Sequence, residues 1–250
     1  MKTELNLYDG KIKVFFEERD WGGNKIHCYT DAKNNKLISV TKVTSTIDKS
    51  NALIIWATRL MAKYLTDNFV GKMLTPEALV TALKEWRKAK EEAADIGTQI
   101  HDWIEQKIKG LEPAMPENDN VKNGVFAFLK WQNENKIKFV ANEQIVYSKK
   151  HKFIGKFDAI IEIKGKKYLI DYKSSKGLYP EFYLQTSAYQ LAYEEEHGKC
   201  IDGRILIHLG KDDGVFEARE INDYEADKKA FLGLLEVKRR LMQLDTYGNN

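Results

Sequence analysis

The sequence predicts an α/β protein, a mixed β-sheet core flanked by helices with an N-terminal helical elaboration. Three observations point there. Hydrophobic residues at 43% and charged residues at 31% are a globular balance. Much of the first half places apolar residues at three- and four-residue spacing, the signature of helices with one buried face. The second half breaks into short apolar runs separated by turn residues, the signature of strands. No repeat and no linker-like segment interrupts the chain, so one domain over 1–250 is expected. Within it, residues 1–135 would hold N-terminal strands and helices, and 136–250 an α/β core with a closing helix.

The elements follow in order. Residues 11–47 alternate apolar and polar positions, broken by the turn signals WGGN and DAKNNK, which predicts short strands or hairpins. Residues 51–70 are patterned as a helix. A second helix opens at Thr75-Pro76, a capping residue followed by the residue best tolerated at a helix start, and runs to about Ile108. Gly97 interrupts it at a cost near 1 kcal/mol relative to alanine. PAMPEND reads as a loop, followed by a helix over 119–135. Strands are expected at 137–147, 153–163 and 167–173, then a helix at 180–197, strands at 203–209 and 214–221, and a helix over 224–243.

Composition excludes several classes. No apolar run approaches the ~20 residues that a membrane helix needs. The opening MKTELNLYDGK carries acids and lacks the apolar stretch of a secretory signal, so a cytoplasmic location is expected. Cys28 and Cys200 are too few and too far apart for a four-thiolate cluster and are expected as free thiols. The formal charge is +3, but residues 149–176 hold nine lysines against three acids. A basic segment on a mildly acidic body steers polyanions, although a lysine run can equally be a solvated face.

The chemistry concentrates in 153–173. If Lys164-Gly165 forms a two-residue turn, with glycine supplying the positive φ such turns demand, Ile163 pairs with Lys166 and Asp158 falls opposite Asp171. One face then receives Phe157/Tyr172, Ala159/Ile170 and Ile161/Tyr168, wholly apolar or aromatic as a core face should be. The other face sets two aspartates opposite each other, their β-carbons about 4.5–5.5 Å apart, where like charges destabilise. A hard divalent cation shared between the carboxylates would relieve this. Lys173 projects from the same face by strand alternation, and an ammonium there would orient an attacking water and offset phosphate charge. The Tyr172 carbonyl is a further oxygen ligand. A surface hairpin whose aspartates are paired by lysines is the competing reading.

The order of features, GKFD (155–158), DYK (171–173), then Gln185 and Tyr189, resembles the core signature of the PD-(D/E)xK nuclease superfamily. GTQIH (97–101) resembles the helical motif whose histidine marks the RecB-like branch. LISVTKV (37–43), with the LIIW helix (53–56), resembles the opening of the mitochondrial genome maintenance exonuclease type and its phage and bacterial relatives. The resemblance spans roughly 37–195. It implies a restriction-endonuclease-like core. Metal ligation would fall to His101, Asp158, Asp171 and the Tyr172 carbonyl, with Lys173 as catalytic lysine. Gln185 and Tyr189 would orient the site and touch DNA, and the hydroxyls of Ser39 and Thr41 would meet phosphates. No proline precedes Asp158, and the four cysteines of the iron–sulfur subgroup are missing, so no iron–sulfur cluster is expected.

Taken alone, His101 among Ile100, Trp103 and Ile104 would read as a packed core histidine; with the motif it reads as a ligand. Glu105, one turn on, is a candidate second-metal ligand, and Glu143 a candidate accessory acid. The cluster His151, Lys149, Lys150 and Lys152 reads as a solvent- or phosphate-facing tip. Tyr179 and Tyr183 are candidates for base stacking. The expected function is a Mg²⁺- or Mn²⁺-dependent DNA exonuclease. Single-stranded ends and a setting in phage or bacterial recombination, repair or replication are implied by resemblance, with a single-strand annealing or replication protein as a possible partner. A restriction-like or structure-specific endonuclease is the alternative in the same fold. A non-catalytic DNA-binding subunit is the alternative from another class.

Overall fold

The computed structural model describes residues 2–21 and 24–247. The WGGN turn falls on Gly22 and Gly23, outside the described residues. A three-stranded antiparallel sheet comes first, with β1 (Lys2–Leu7), β2 (Ile12–Trp21) and β3 (Asn24–Asp31) in that order. The chain then crosses to the main sheet through β4 (Ile38–Ser39) and the short α1 (Val40–Thr44), whose N-cap Ser39 accepts from the Lys42 N–H.

Next come α2 (Ser50–Phe69) and α3 (Pro76–Ile108), packed on each other. Thr75 caps α3 as expected, its hydroxyl accepting from the Ala78 N–H at 3.3 Å. At 33 residues α3 is about 50 Å long, and only its last third meets the sheet, burying Ile100, Trp103 and Ile104. Gly97 sits where this begins. A β-carbon there would lie 2.9 Å from the Ser174 hydroxyl, so the helix interior gives up propensity for close approach to the loop that begins at Ser174.

The main sheet holds six strands. β5 (Lys138–Ser148), β6 (Phe153–Ile163) and β7 (Lys166–Lys173) are antiparallel neighbours, and β8 (Gly203–Leu209) runs parallel to β7. The crossover between them is α5 (Pro180–His197), after which β9 (Phe216–Ile221) closes the edge. Helix α4 (Asp119–Asn135) leads into β5, and α6 (Tyr224–Tyr247) ends the described chain, one turn longer than its apolar pattern suggested. The result is three layers. On one face α3 and α4 pack Ile104, Phe128 and Trp131 on Ala159, Ile161, Ile170 and Ile207. On the other, α1, α5 and α6 pack Val40, Ala188 and Phe231 on Phe153, Phe157, Ile160 and Leu169. Each fully buried side chain of this size contributes about 1.5–3 kcal/mol.

The expected division at residue 135 separates segments of sequence rather than layers. β4 belongs to the main sheet, and α3 and α4 form one of its two covers.

One detail of connectivity makes the site. β5 pairs with β6 along almost its whole length, while β7 pairs with residues 159–163 and β4 with Phe153 and Ile154. Both β4 and β7 therefore share the edge of β6 opposite β5. Residues 155–158 lie in the gap between them.

Candidate active site

The hairpin follows the predicted register, Ile163 opposite Lys166 through Ala159 opposite Ile170, with Lys164 and Gly165 both at positive φ in the turn. There the ladder stops. Asp158 and Asp171 are not paired in it; instead the Asp158 carboxylate accepts from the Tyr172 N–H at 2.6 Å. The expectation that Phe157 shares a face with Ala159 and Ile161 is also corrected. Phe157 packs with Ile160 and Leu169 under α5, while Ala159 and Ile161 pack under α4. Alternation is therefore broken at Asp158. The opposing strand shows why: its ladder to β6 skips Glu143 and Asp158, and Glu143 has φ +52. A left-handed residue inside a strand is costly for anything but glycine and marks an irregularity that re-aims side chains.

The re-aimed Asp158 meets His101 from α3, with Nδ1 to Oδ1 at 3.5 Å. His101, Glu143 and Asp158 each offer a donor atom, and the three atoms lie within 4.8 Å of one another. One imidazole and two carboxylates at that spacing fit a divalent cation. Glu143, read from sequence as an accessory acid, thus stands beside His101 and Asp158. It carries an ion pair to Lys156, a partner that sequence reasoning missed. Glu105, one turn beyond His101, is ion-paired with Lys109 rather than grouped with these three.

Asp171 and Lys173 form the other half. Asp171 is 2% exposed, and the Lys173 ammonium lies 2.5 Å from its Oδ2. Lys173 also reaches Gln185 Oε1 at 3.4 Å and sits 4.6 Å from the centre of the Phe182 ring. The Gln185 amide donates to the Tyr189 hydroxyl at 2.7 Å, so the two α5 residues expected on one helix face are there and are linked. Tyr189, expected to touch DNA, is only 2% exposed. Gly155 lies against it: a β-carbon at 155 would come within 2.4 Å of the tyrosine ring, too close for any side chain. The loop after Lys173 is held by His208, whose Nε2 lies 2.5 Å from the Ser175 carbonyl. Sequence reasoning gave no sign of that contact. Tyr172 turns its ring edge-on to His101, with centroids 5.9 Å apart, and the carbonyl expected as a ligand lies between Asp171 and Lys173 on the same strand.

The charges are strongly coupled. Burial opposes ionisation of Asp158, yet His101, Lys173 and the Tyr172 N–H together hold its carboxyl below the ordinary range. Burial pushes Asp171 up to about 6; Lys173 offsets this only in part, and the Asp158 charge adds to it. Burial alone would lower the His101 imidazole, but Asp158 reverses this and leaves it above its ordinary value. Glu143 is raised by burial and by Asp158, with Lys156 a partial counterweight. Crowded acids that resist losing their protons are those a cation would stabilise. The site opens into a cavity of about 880 Å³, whose lining includes His101, Asp158, Asp171, Lys173, Ser39 and Thr41. Ser39 and Thr41 hydroxyls stand 3.2 Å apart at its rim.

Carboxylates, an imidazole and an ammonium converging at a break in a helix-covered sheet suit phosphodiester hydrolysis. Sequence comparison agrees: the chain belongs to the PD-(D/E)XK nuclease superfamily, whose profile matches residues 77–244, about two thirds of its length. Members of that superfamily use divalent metals, and the fold is the mixed α/β core it shares. No curated protein matches the chain in sequence. Among solved structures, SSO0001 is similar at 15% identity and a TM-score of 0.40, over 82% of this chain and 75% of that one. LHK-Exo in complex with dAMP is similar at 12% identity and 0.37, over 86% and 95%. The alkaline exonuclease LHK-Exo from Laribacter hongkongensis is similar at 15% and 0.32, over 63% and 92%. No helix among the described residues is long and apolar enough to cross a membrane.

Proposed function

We propose that the protein is a metal-dependent DNA exonuclease acting on single-stranded ends. One observation carries the reading: His101, Glu143 and Asp158 bring three donor atoms within 4.8 Å of each other, and His101 and Asp158 line an open cavity together with the Asp171–Lys173 pair. His101, Asp158 and Glu143 would hold a Mg²⁺ or Mn²⁺ ion, and the family resemblance adds Asp171 and the Tyr172 carbonyl as ligands. The bound ion would supply charge to polarise the scissile phosphate and stabilise the departing oxygen.

The chain's own groups do the rest. Lys173, held by Asp171 and Gln185 against the Phe182 ring, presents its ammonium to a phosphate oxygen and orients the attacking water. Tyr189, through Gln185, fixes where that ammonium stands. Ser39 and Thr41 at the rim present hydroxyls to the phosphate backbone. The intact pair of aspartates with lysine speaks against a non-catalytic binding subunit. A setting in phage or bacterial recombination, repair or replication rests on the family resemblance alone.

Digestion of end-labelled single- and double-stranded oligonucleotides, with either end blocked and with or without Mg²⁺, tests the reading. Circular single-stranded DNA should survive; its cleavage would establish an endonuclease instead. Asp158→Ala, Asp171→Ala and Lys173→Ala should each abolish Mg²⁺-dependent cutting while leaving the circular dichroism spectrum intact. Wild-type turnover in any of the three refutes the assignment.

A further inference from the structure

The superfamily profile begins at residue 77, yet one wall of the active-site cavity is built from residues before it. Arg19 on β2, Lys36 in the segment after β3 and Lys42 on α1 all line that cavity. This wall is fixed in place. Val14 and Tyr29 of the N-terminal sheet are buried against Tyr147 and Ile154 of the catalytic sheet. The Leu37 N–H donates to the Tyr29 carbonyl at 2.9 Å, and Lys36 bridges Thr30. β4 then ties the segment to β6 at Phe153 and Ile154, immediately before the gap that holds Asp158.

The charge arrangement is divided. The cavity floor carries Asp158 and Asp171, and its Lys156 and Lys173 are already committed to Glu143 and Asp171. On the wall, Lys36 and Lys42 are exposed and have no acidic partner among the described residues, and Arg19 is exposed and ion-paired with Glu17 at 2.7 Å. An acidic floor that wants a cation, beneath a wall with two uncommitted lysines and an arginine, matches a polyanion laid along the wall with one phosphate delivered to the floor. At about 880 Å³ the cavity has room for a nucleotide or two of a single strand, since sites of roughly 300–1,000 Å³ enclose ligands of nucleotide size.

We propose that Arg19, Lys36 and Lys42 form a phosphate-binding wall that grips the backbone of a single-stranded polynucleotide on its way to the catalytic floor. The proposal deepens the nuclease reading and rests on it. Its test is nevertheless separate, because binding is measured in EDTA, where no cleavage is needed. Fluorescence anisotropy with a labelled single-stranded oligothymidylate is followed over a salt series for the wild type and for R19A/K36A/K42A. Each lost phosphate contact lowers the slope of log K against log salt by about 0.7, so the triple variant should lose about 2. Its affinity at low salt should fall at least tenfold, while the charge-conserving R19K/K36R/K42R keeps the wild-type slope.

Lys164, Lys166 and Lys199, at the far end of the sheet, provide the control; K164A/K166A/K199A should bind as the wild type does. With Mg²⁺, the wall variant should raise KM and leave kcat within about threefold, the mark of lost binding rather than lost chemistry. Should the triple variant melt early, each single substitution read in the same titration carries the test. A slope loss below about 1, or an equal loss in the control, overturns the proposal.

Discussion

Asp171 is a carboxylic acid whose folded-state pKa of about 6 lies above its ordinary value of 3.8, because burial outweighs the help of Lys173. The folded protein thus binds this proton more tightly than the unfolded chain. That stabilisation is complete below pH 3.8 and is lost as pH rises through about 6. In EDTA, Asp171→Asn should therefore match the wild type in melting temperature near pH 4 and exceed it above pH 6. A difference independent of pH would place the strain elsewhere. Glu143→Gln should leave the fold intact and raise the Mg²⁺ concentration for half-maximal cutting at least tenfold, as loss of a metal-supporting group does; an unchanged requirement would remove Glu143 from the site. Asp158 joins the site only because alternation breaks there, whereas the placing of Asp171 beside Lys173 by strand alternation, and of His101 as a candidate by a motif, was legible. The standing of Glu143 was not, because it depends on a positive φ in β5 that only glycine or asparagine would have advertised.

The hairpin of β6 and β7 was readable to the residue in its turn-proximal half, where a pleated ladder enforces a period of two. Beyond Ala159 the same rule misplaced Phe157, since alternation fails wherever a strand is irregular. Helices were read nearly to their ends, for capping and punctuating residues such as Thr75 and the PAMPEND loop announce them. β4 was not resolved as a strand of the catalytic sheet, since two residues carry no periodicity. Nor did the sequence reveal that β8, α5 and α6 are joined by a buried charge. Arg204 is wholly buried; it donates to Asp227 at 2.7 Å and to the Tyr183 carbonyl at 2.8 Å. Asp227→Ala would leave that guanidinium without its counter-ion, at a cost of about 3 kcal/mol in urea unfolding, whereas Arg204→Met with Asp227→Ala should recover much of it. Equal losses in the single and double variants would show that the uncompensated guanidinium is not the source of the cost.

At the scale of the molecule, the class of fold was legible from the succession of helical and strand periods, while the path of the sheet was not. Pairing between Ile38 and Phe153 joins chain segments too distant for any local pattern to register. That pairing divides one edge of β6 between two strands that never meet, and the division has a dynamic consequence. Backbone amides facing the notch at 155–158 have no strand to lock them, although the layers above and below are tightly packed. Deuterium should enter Lys156 and Asp158 well before it enters Ile160 and Ile161, and slow further when substrate fills the notch. A stretch of rapid exchange in the middle of a protected sheet would mark this enzyme's opening from the inside.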